Sequence, residues 1–264
     1  MKLTVVGCSG SISGPDSPAS SYLVQAPYET RTFSLLLDCG PGAMGALYRY
    51  LDPREIDAIG LSHLHADHCL DLCGYHVAAC YAPNAPWPRR SVYAPANAAA
   101  RLTRAYEVPG NDGEVSEAGP SIAEHFDWRT WQASQRIGPF IVRTVRVEHP
   151  VEAYAIRVEE EAADGAVLVY SGDTGPSDAL VQLANNADLL LIESAFLDGS
   201  DNPPGMHLSG AEAAGTAKAA GVRAVVLTHI PPWHQPGDVL AEARPHFDGP
   251  IFLASPGTAW DISG

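Results

Sequence analysis

Six residues hold most of the chemistry this chain offers. His63-Leu64-His65-Ala66-Asp67-His68 packs three imidazoles and one carboxylate directly behind the apolar run Ile56 to Leu61. A buried strand that delivers such a group to its C-terminal end builds a metal site, and imidazole with carboxylate suits zinc and its first-row neighbours. His63 and His65 are two apart, so on an extended segment they point the same way. Asp67 and His68 follow the turn and can reach a second ion. The plain alternative is a polar loop that happens to be His-rich. Three more residues argue against it. His149 follows the alternating run Phe140 to Val147. Asp173 follows Ala166 to Tyr170, and His229 follows Arg223 to Leu227. Each stands at the end of a β run, where an α/β fold builds its sites.

These residues need a particular set of elements to bring them together. Strand-like runs are Leu3 to Val6, Ser21 to Gln25, Phe33 to Asp38 and Ile56 to Ser62, then Ser91 to Tyr93. A second set runs Phe140 to Val147, Ala153 to Val158, Val167 to Ser171, Leu189 to Ile192 and Val225 to Leu227. Helical runs are Ala43 to Leu51, Ala66 to Ala79, Asn97 to Tyr106, Asp178 to Asn185, Gly210 to Ala220 and Asp238 to Arg244. Strands inside and helices between them imply an α/β fold of two packed sheets with helices on both outer faces. The length of 264 residues fits one large domain, 1–264.

HLHADH, followed in order by Ser-Gly-Asp-Thr at 171–174 and Leu-Thr-His at 227–229, resembles the metallo-β-lactamase superfamily. The resemblance runs from Leu3-Thr4-Val5-Val6-Gly7 through Asp38-Cys39-Gly40 to the His229 segment. It implies a four-layer αββα sandwich and two divalent metal ions, zinc or manganese. On that resemblance His63, His65 and His149 hold one ion, Asp67, His68 and His229 hold the other, and Asp173 bridges them. Asp38 matches the family's structural aspartate, which supports the metal loop.

Two further segments point within the superfamily to its phosphodiesterase branch, which includes tRNase Z. Leu191-Ile192-Glu193-Ser194 precedes His207-Leu208-Ser209-Gly210-Ala211-Glu212. By resemblance His207 serves the phosphate and the leaving oxygen, and Glu193 orients it. Ser209 with Glu212 also reads as a helix capping box, which makes His207 the N-terminal neighbour of a helix; the two readings are compatible. The Pro15 to Ser21 segment, Gly210-Ala211-Glu212-Ala213 and Thr228-His229-Ile230-Pro231-Pro232-Trp233 resemble actinobacterial-type cyclic-nucleotide phosphodiesterases. Catalysis is then expected from Asp67, His207 and Glu193 acting on a small phosphodiester, with cAMP giving 5′-AMP.

Charge bears on the substrate. The chain has 16 basic and 31 acidic residues, a net charge of -15, and its only lysines are Lys2 and Lys218. A nucleic-acid surface gathers Lys and Arg to displace counterions, so a large polyanion fits poorly. In tRNase Z enzymes a tRNA-gripping arm lies between the segments matching His149 and Asp173. Here that interval reads as a hairpin, Tyr154 to Glu160, turning through Ala163-Asp164-Gly165. The rivals are a tRNA 3′-end endoribonuclease and a glyoxalase II-like thioester or lactone hydrolase; a non-catalytic scaffold is disfavoured by the full ligand set.

Other features carry lesser expectations. Met1-Lys2-Leu3 leads straight into a strand, unlike a signal peptide, and no apolar run nears the ~20 residues of a membrane span, so a cytoplasmic protein is expected. Five cysteines, an odd number, read as reduced thiols and not a disulfide framework. The Gly7-Cys8-Ser9-Gly10-Ser11 loop offers N–H groups for an anionic oxygen. Tyr75, His76, Tyr81 and Trp87 either stack on a nucleobase or cap the core. Arg89 and Arg90 either meet phosphate or pair with surface acids. Residues 111–131 are expected to be a lid or surface insertion. The branch implies a homodimer.

Overall fold

The computed structural model describes residues 1–108, 120–161 and 165–264. Among these, fourteen strands form two seven-stranded sheets. In the first sheet, β1 (Lys2–Gly7), β2 (Ser21–Tyr28) and β3 (Arg31–Leu37) pair antiparallel. β4 (Ala58–Gly60), β5 (Ser91–Ala94) and β6 (Asp127–Thr130) then add in parallel. In the second, β7 (Ser134–Ile137), β8 (Phe140–Arg146), β9 (Tyr154–Glu160) and β10 (Val167–Tyr170) run antiparallel. β11 (Leu189–Glu193), β12 (Val225–Thr228) and β13 (Ile251–Leu253) continue parallel. The last strand, β14 (Ala259–Asp261), returns to pair with β1 and closes the first sheet's outer edge.

Side-chain alternation builds the layers. Leu3, Val5, Tyr22, Val24, Leu35 and Leu37 face the second sheet and meet Phe140, Val142, Ile156, Leu168, Tyr170 and Leu191. The residues between them, Val6, Leu23 and Leu36, face the opposite way. They pack under α1 (Ala43–Leu47), α3 (Leu72–Tyr81), α4 (Ala98–Tyr106) and α5 (Ile122–His125). On the other outer face Val169, Leu190, Ile192 and Leu227 lie under α6 (Asp178–Leu183), α7 (Gly210–Ala220) and α8 (Pro236–Ala243). The result is the expected αββα sandwich. The capping box is present: Ser209 accepts from the Glu212 N–H, and the Glu212 side chain accepts from the Ser209 N–H.

The helix expected over Ala66 to Ala79 is broken. It divides into α2 (Ala66–Cys69) and α3, because the turn after β3 competes for the backbone. The Cys39 N–H donates to the His68 carbonyl at 2.7 Å, and the Asp71 N–H donates to the Cys39 carbonyl at 3.0 Å. Asp71 is further anchored by accepting the Met44 N–H at 2.7 Å. Gly40 lets this approach happen: a Cβ there would lie 2.0 Å from the Asp67 carbonyl oxygen.

The segment expected to be a lid at 111–131 is corrected in its described part. Residues 120–131 supply α5 and the edge strand β6, and Trp131 enters the inter-sheet core; 111–119 lie outside the described residues. The hairpin between His149 and Asp173 is present as β9 and β10, and its tip at 162–164 lies outside the described residues. Tyr75 and Trp87 are buried against each other in the outer core, which removes them as stacking platforms. Arg89 and Arg90 donate to the carbonyls of Phe126 and Arg54, so both brace backbone and neither meets an acid there. No helix among the described residues is long and apolar enough to cross a membrane.

Candidate metal centre

The site lies where strand ends from both sheets meet. β3 ends at Leu37, and Asp38 turns off with φ 58°. Its carboxylate is fully buried and accepts four hydrogen bonds. Ser62 donates from its N–H at 2.7 Å and its hydroxyl at 2.8 Å, Tyr170 from its hydroxyl at 2.7 Å, and His68 from Nδ1 at 2.7 Å. This hub fixes the loop after β4 and the ring of His68 together. With Nδ1 committed as a donor, Nε2 of His68 is left to face the site.

The same logic orients other imidazoles. His149 donates from Nδ1 to the Met206 carbonyl at 2.9 Å, so its Nε2 carries a lone pair, 3.1 Å from His65 Nδ1. His63 Nε2 lies 3.1 Å from the same His65 atom and 3.6 Å from Asp173 Oδ2. His229, itself at φ 56° after β12, contacts the Ser20 hydroxyl through Nδ1 at 3.0 Å. Its Nε2 stands 3.3 Å from Asp173 Oδ2 and 3.7 Å from Asp67 Oδ2. Donor atoms thus gather in two sets that share Asp173: His63, His65 and His149 with it, and Asp67, His68 and His229 with it.

Divalent ions fit these sets. Among the described residues, two buried atoms in them, His68 Nε2 and Asp173 Oδ1, make no well-formed hydrogen bond. They lie 3.2 Å apart. A dry polar atom without a partner costs about 1–3 kcal/mol, which a cation between the sets relieves. The donors are all nitrogen and oxygen, the chemistry of zinc and its neighbours. Burial holds His63 well below the usual imidazole range and brings His229 to about 4, which leaves their lone pairs free. Burial also works against charge on His68, but Asp173 and Asp38 outweigh it and raise its pKa; metal binding would release that proton.

Beside the sets sits a second carboxylate–imidazole pair. Glu193 ends β11 and is fully buried. It accepts the N–H groups of Thr174 at 2.8 Å and of Ala195 and Leu208 at 3.2 Å each. His207 Nδ1 donates to it at 2.8 Å and lies 4.0 Å from Asp173 Oδ2. Burial opposes the charge on His207, yet Glu193 outweighs it and raises the pKa, so the ring favours its protonated form. Its face stacks on His229, with centroids 5.5 Å apart.

Every residue expected at the site is brought to it. The Gly7–Ser11 loop also arrives, with the Ser11 N–H donating to His229 Nε2 at 3.4 Å. Gly10 is required there, since a Cβ would stand 2.1 Å from the His229 carbonyl oxygen. What the sequence did not single out are the supports: Ser20, Ser62 and Tyr170. Ser62 adjoins the motif and could have been suspected. Nothing local marks Ser20 or Tyr170.

The profile of the Beta-lactamase superfamily domain matches residues 34–230. An uncharacterized protein of Mycobacterium leprae is 44% identical over 99% of this chain and 89% of its own length. A ribonuclease Z of Myxococcus xanthus is 29% identical over 84% of this chain and 86% of its own. The crystal structure of the metallo-beta-lactamase fold protein YhfI from Bacillus subtilis superposes with a TM-score of 0.81 at 27% identity, covering 98% of this chain and 99% of that one.

Proposed function

We propose, for a chain that belongs to the beta-lactamase superfamily and is a metal-dependent hydrolase, that its substrate is a small phosphodiester, foremost a 3′,5′-cyclic nucleotide opened to the 5′-monophosphate. The observation that carries this reading is the His207–Glu193 pair, an imidazole whose Nδ1 lies 2.8 Å from a buried carboxylate that raises its pKa, at the rim of the metal sets. A phosphodiester leaves behind an alkoxide that needs a proton, and a positioned acid serves it. A thioester has a good thiolate leaving group and does not call for one.

His63, His65, His149 and Asp173 would hold one ion, and Asp67, His68, His229 and Asp173 the other. When bound, two divalent ions supply Lewis acidity to the phosphoryl oxygens and bring the pKa of water from ~15.7 toward roughly 7. Glu193 keeps Nδ1 of His207 occupied, so the ring's other nitrogen is the one free to donate. As the water oxygen bonds to phosphorus and the P–O3′ bond breaks, His207 gives its proton to O3′. The proton released from the water can restore His207. Asp67, held charged by His68 and His229 against its burial, faces the same space and orients the incoming water.

A second reading, cleavage at RNA 3′ ends, is favoured by the similarity to a ribonuclease Z. Net charge of -15 and the short β9–β10 hairpin weigh against it. The deciding experiment gives zinc- or manganese-loaded protein 3′,5′-cAMP, bis(p-nitrophenyl) phosphate and a tRNA precursor in parallel. Conversion of cAMP to 5′-AMP, with the precursor intact, is the expected result. Trimming of the precursor without cAMP turnover would replace the proposal with the RNA reading.

A further inference from the structure

Away from the two metal sets, the corner where α3 meets α5 gathers three more metal-ligating side chains. His76 and Cys80 are four residues apart on α3 and so share a face; His125 ends α5. The Cys80 sulfur lies 3.7 Å from Nδ1 of His76 and 3.9 Å from Nδ1 of His125. One donor atom from each of the three falls within 4.8 Å of the others. Atoms bound to one tetrahedral zinc at about 2.0–2.3 Å stand roughly 3.3–3.6 Å from each other. The side chains therefore need only a small inward adjustment to share an ion.

Packing alone leaves this corner unexplained. His76 is fully buried, and its Nε2 donates to the Pro120 carbonyl at 3.0 Å. That bond fixes the tautomer and leaves the Nδ1 lone pair toward the sulfur, as an outer hydrogen bond does for a ligating histidine. Among the described residues, Nε2 of His125 is buried with no hydrogen-bond partner, and a thiol is the polar neighbour of Nδ1. Nδ1, which faces the sulfur, is the ring atom placed to share an ion with it. Burial lowers the pKa of both imidazoles, which keeps them neutral and able to donate a lone pair. Tyr106 and Phe126 stand edge-on to His76 and His125, with centroids 4.8 Å and 5.0 Å away, and form an apolar wall.

We propose that His76, Cys80 and His125 form a separate mononuclear zinc site, with the fourth position open to water. One sulfur and two imidazoles select zinc over magnesium, calcium or manganese. Binding releases the Cys80 proton to solvent and leaves a zinc-bound thiolate. The ion ties α3, which continues from the helix carrying Asp67 and His68, to α5, which leads into the edge strand β6. This site is independent of the phosphodiesterase reading.

Cobalt substitution separates it from the catalytic sets, which contain no sulfur donor. Metal-stripped full-length protein is reloaded with Co2+, and the Cys80→Ser and His125→Gln variants are treated alike. The wild type is expected to hold one more equivalent than either variant by elemental analysis. It should also show a near-ultraviolet thiolate-to-cobalt absorption that Cys80→Ser lacks, while turnover of the generic diester is unchanged in that variant. The difference of one equivalent is read whether or not the protein proves to be a phosphodiesterase. Equal metal content in wild type and Cys80→Ser, with no thiolate absorption in either, would make the corner a packing cluster and overturn the proposal.

Discussion

Two buried carboxylate–histidine pairs face each other across this site, and they differ in where the histidine's second nitrogen can go. Asp38 and His68 meet at 2.7 Å, Glu193 and His207 at 2.8 Å. Each carboxylate accepts further donors, hydroxyls and one N–H around Asp38, three N–H groups around Glu193. His68 is sealed, with no solvent exposure, and its Nε2 ends against Asp173. The His207 side chain keeps 12% exposure at the rim. On the proposed reading the same pairing gives an oriented metal donor when it is enclosed and a proton donor when it opens on substrate space. Burial and outlet decide the role; residue type does not.

Removing the open histidine gives the strongest contrast. His207→Ala should lower kcat on the diester by roughly 10²–10⁴-fold, the usual range for a general acid. Metal content measured on the same preparation should equal that of the wild type, because His207 is in neither of the two histidine-rich sets and, although it falls within reach of Asp173 and Glu193, its Nδ1 is already committed to Glu193. Loss of an ion from this variant would erase the distinction between the pairs and make His207 a ligand.

The donor residues of the two sets were legible in the sequence because they are polar residues crowded at the ends of apolar runs, and the helix α7 was legible from its Ser209–Glu212 cap. What escaped has physical reasons. The break between α2 and α3 is set by bonds from Cys39, thirty-odd positions upstream in the chain, and α-helical patterning continues across it. The edge strands β6, β7, β13 and β14 bury only one face or part of one, so they carry little apolar signature. Tyr170 looks like an ordinary strand residue and Ser20 like the small polar residue before one, since their work depends on partners brought by the other sheet. His125 joins His76 and Cys80 only through the packing of α5 on α3.

The sealed pair can be tested with less disruption than deletion brings. Asp38→Asn keeps the shape but replaces one carboxylate oxygen by an amide nitrogen, which is a poor match for the hydroxyl, N–H and imidazole donors that converge there. Metal affinity should fall by about 10–100-fold, the usual cost of losing the partner of a ligating histidine. A competition titration with a chelator reads this, and added metal should restore much of the turnover. The comparison predicts opposite signatures: His207→Ala keeps metal and loses kcat, Asp38→Asn loses affinity and regains kcat at high metal. If excess metal left Asp38→Asn inactive, Asp38 would have a part in the chemical step itself.

The smallest effect is expected at Ser20, and it tests whether orientation in the second sheet's half of the site works as it does in the first. Ser20 is buried, and its hydroxyl contacts Nδ1 of His229 at 3.0 Å. It is a neutral partner, where Asp38 is a charged one. A neutral hydrogen bond is worth about 0.5–1.5 kcal/mol, so Ser20→Ala should weaken metal binding by roughly 2–10-fold. His229 is also held through the adjoining backbone, where the Gly10 N–H donates to the Ile230 carbonyl at 3.2 Å, so its place does not depend on Ser20 alone. The same chelator titration ranks the two supports. A loss at Ser20 as large as that at Asp38 would mean that the charge of the supporting group matters less than its geometry, and the two halves of the site would then be held by one rule.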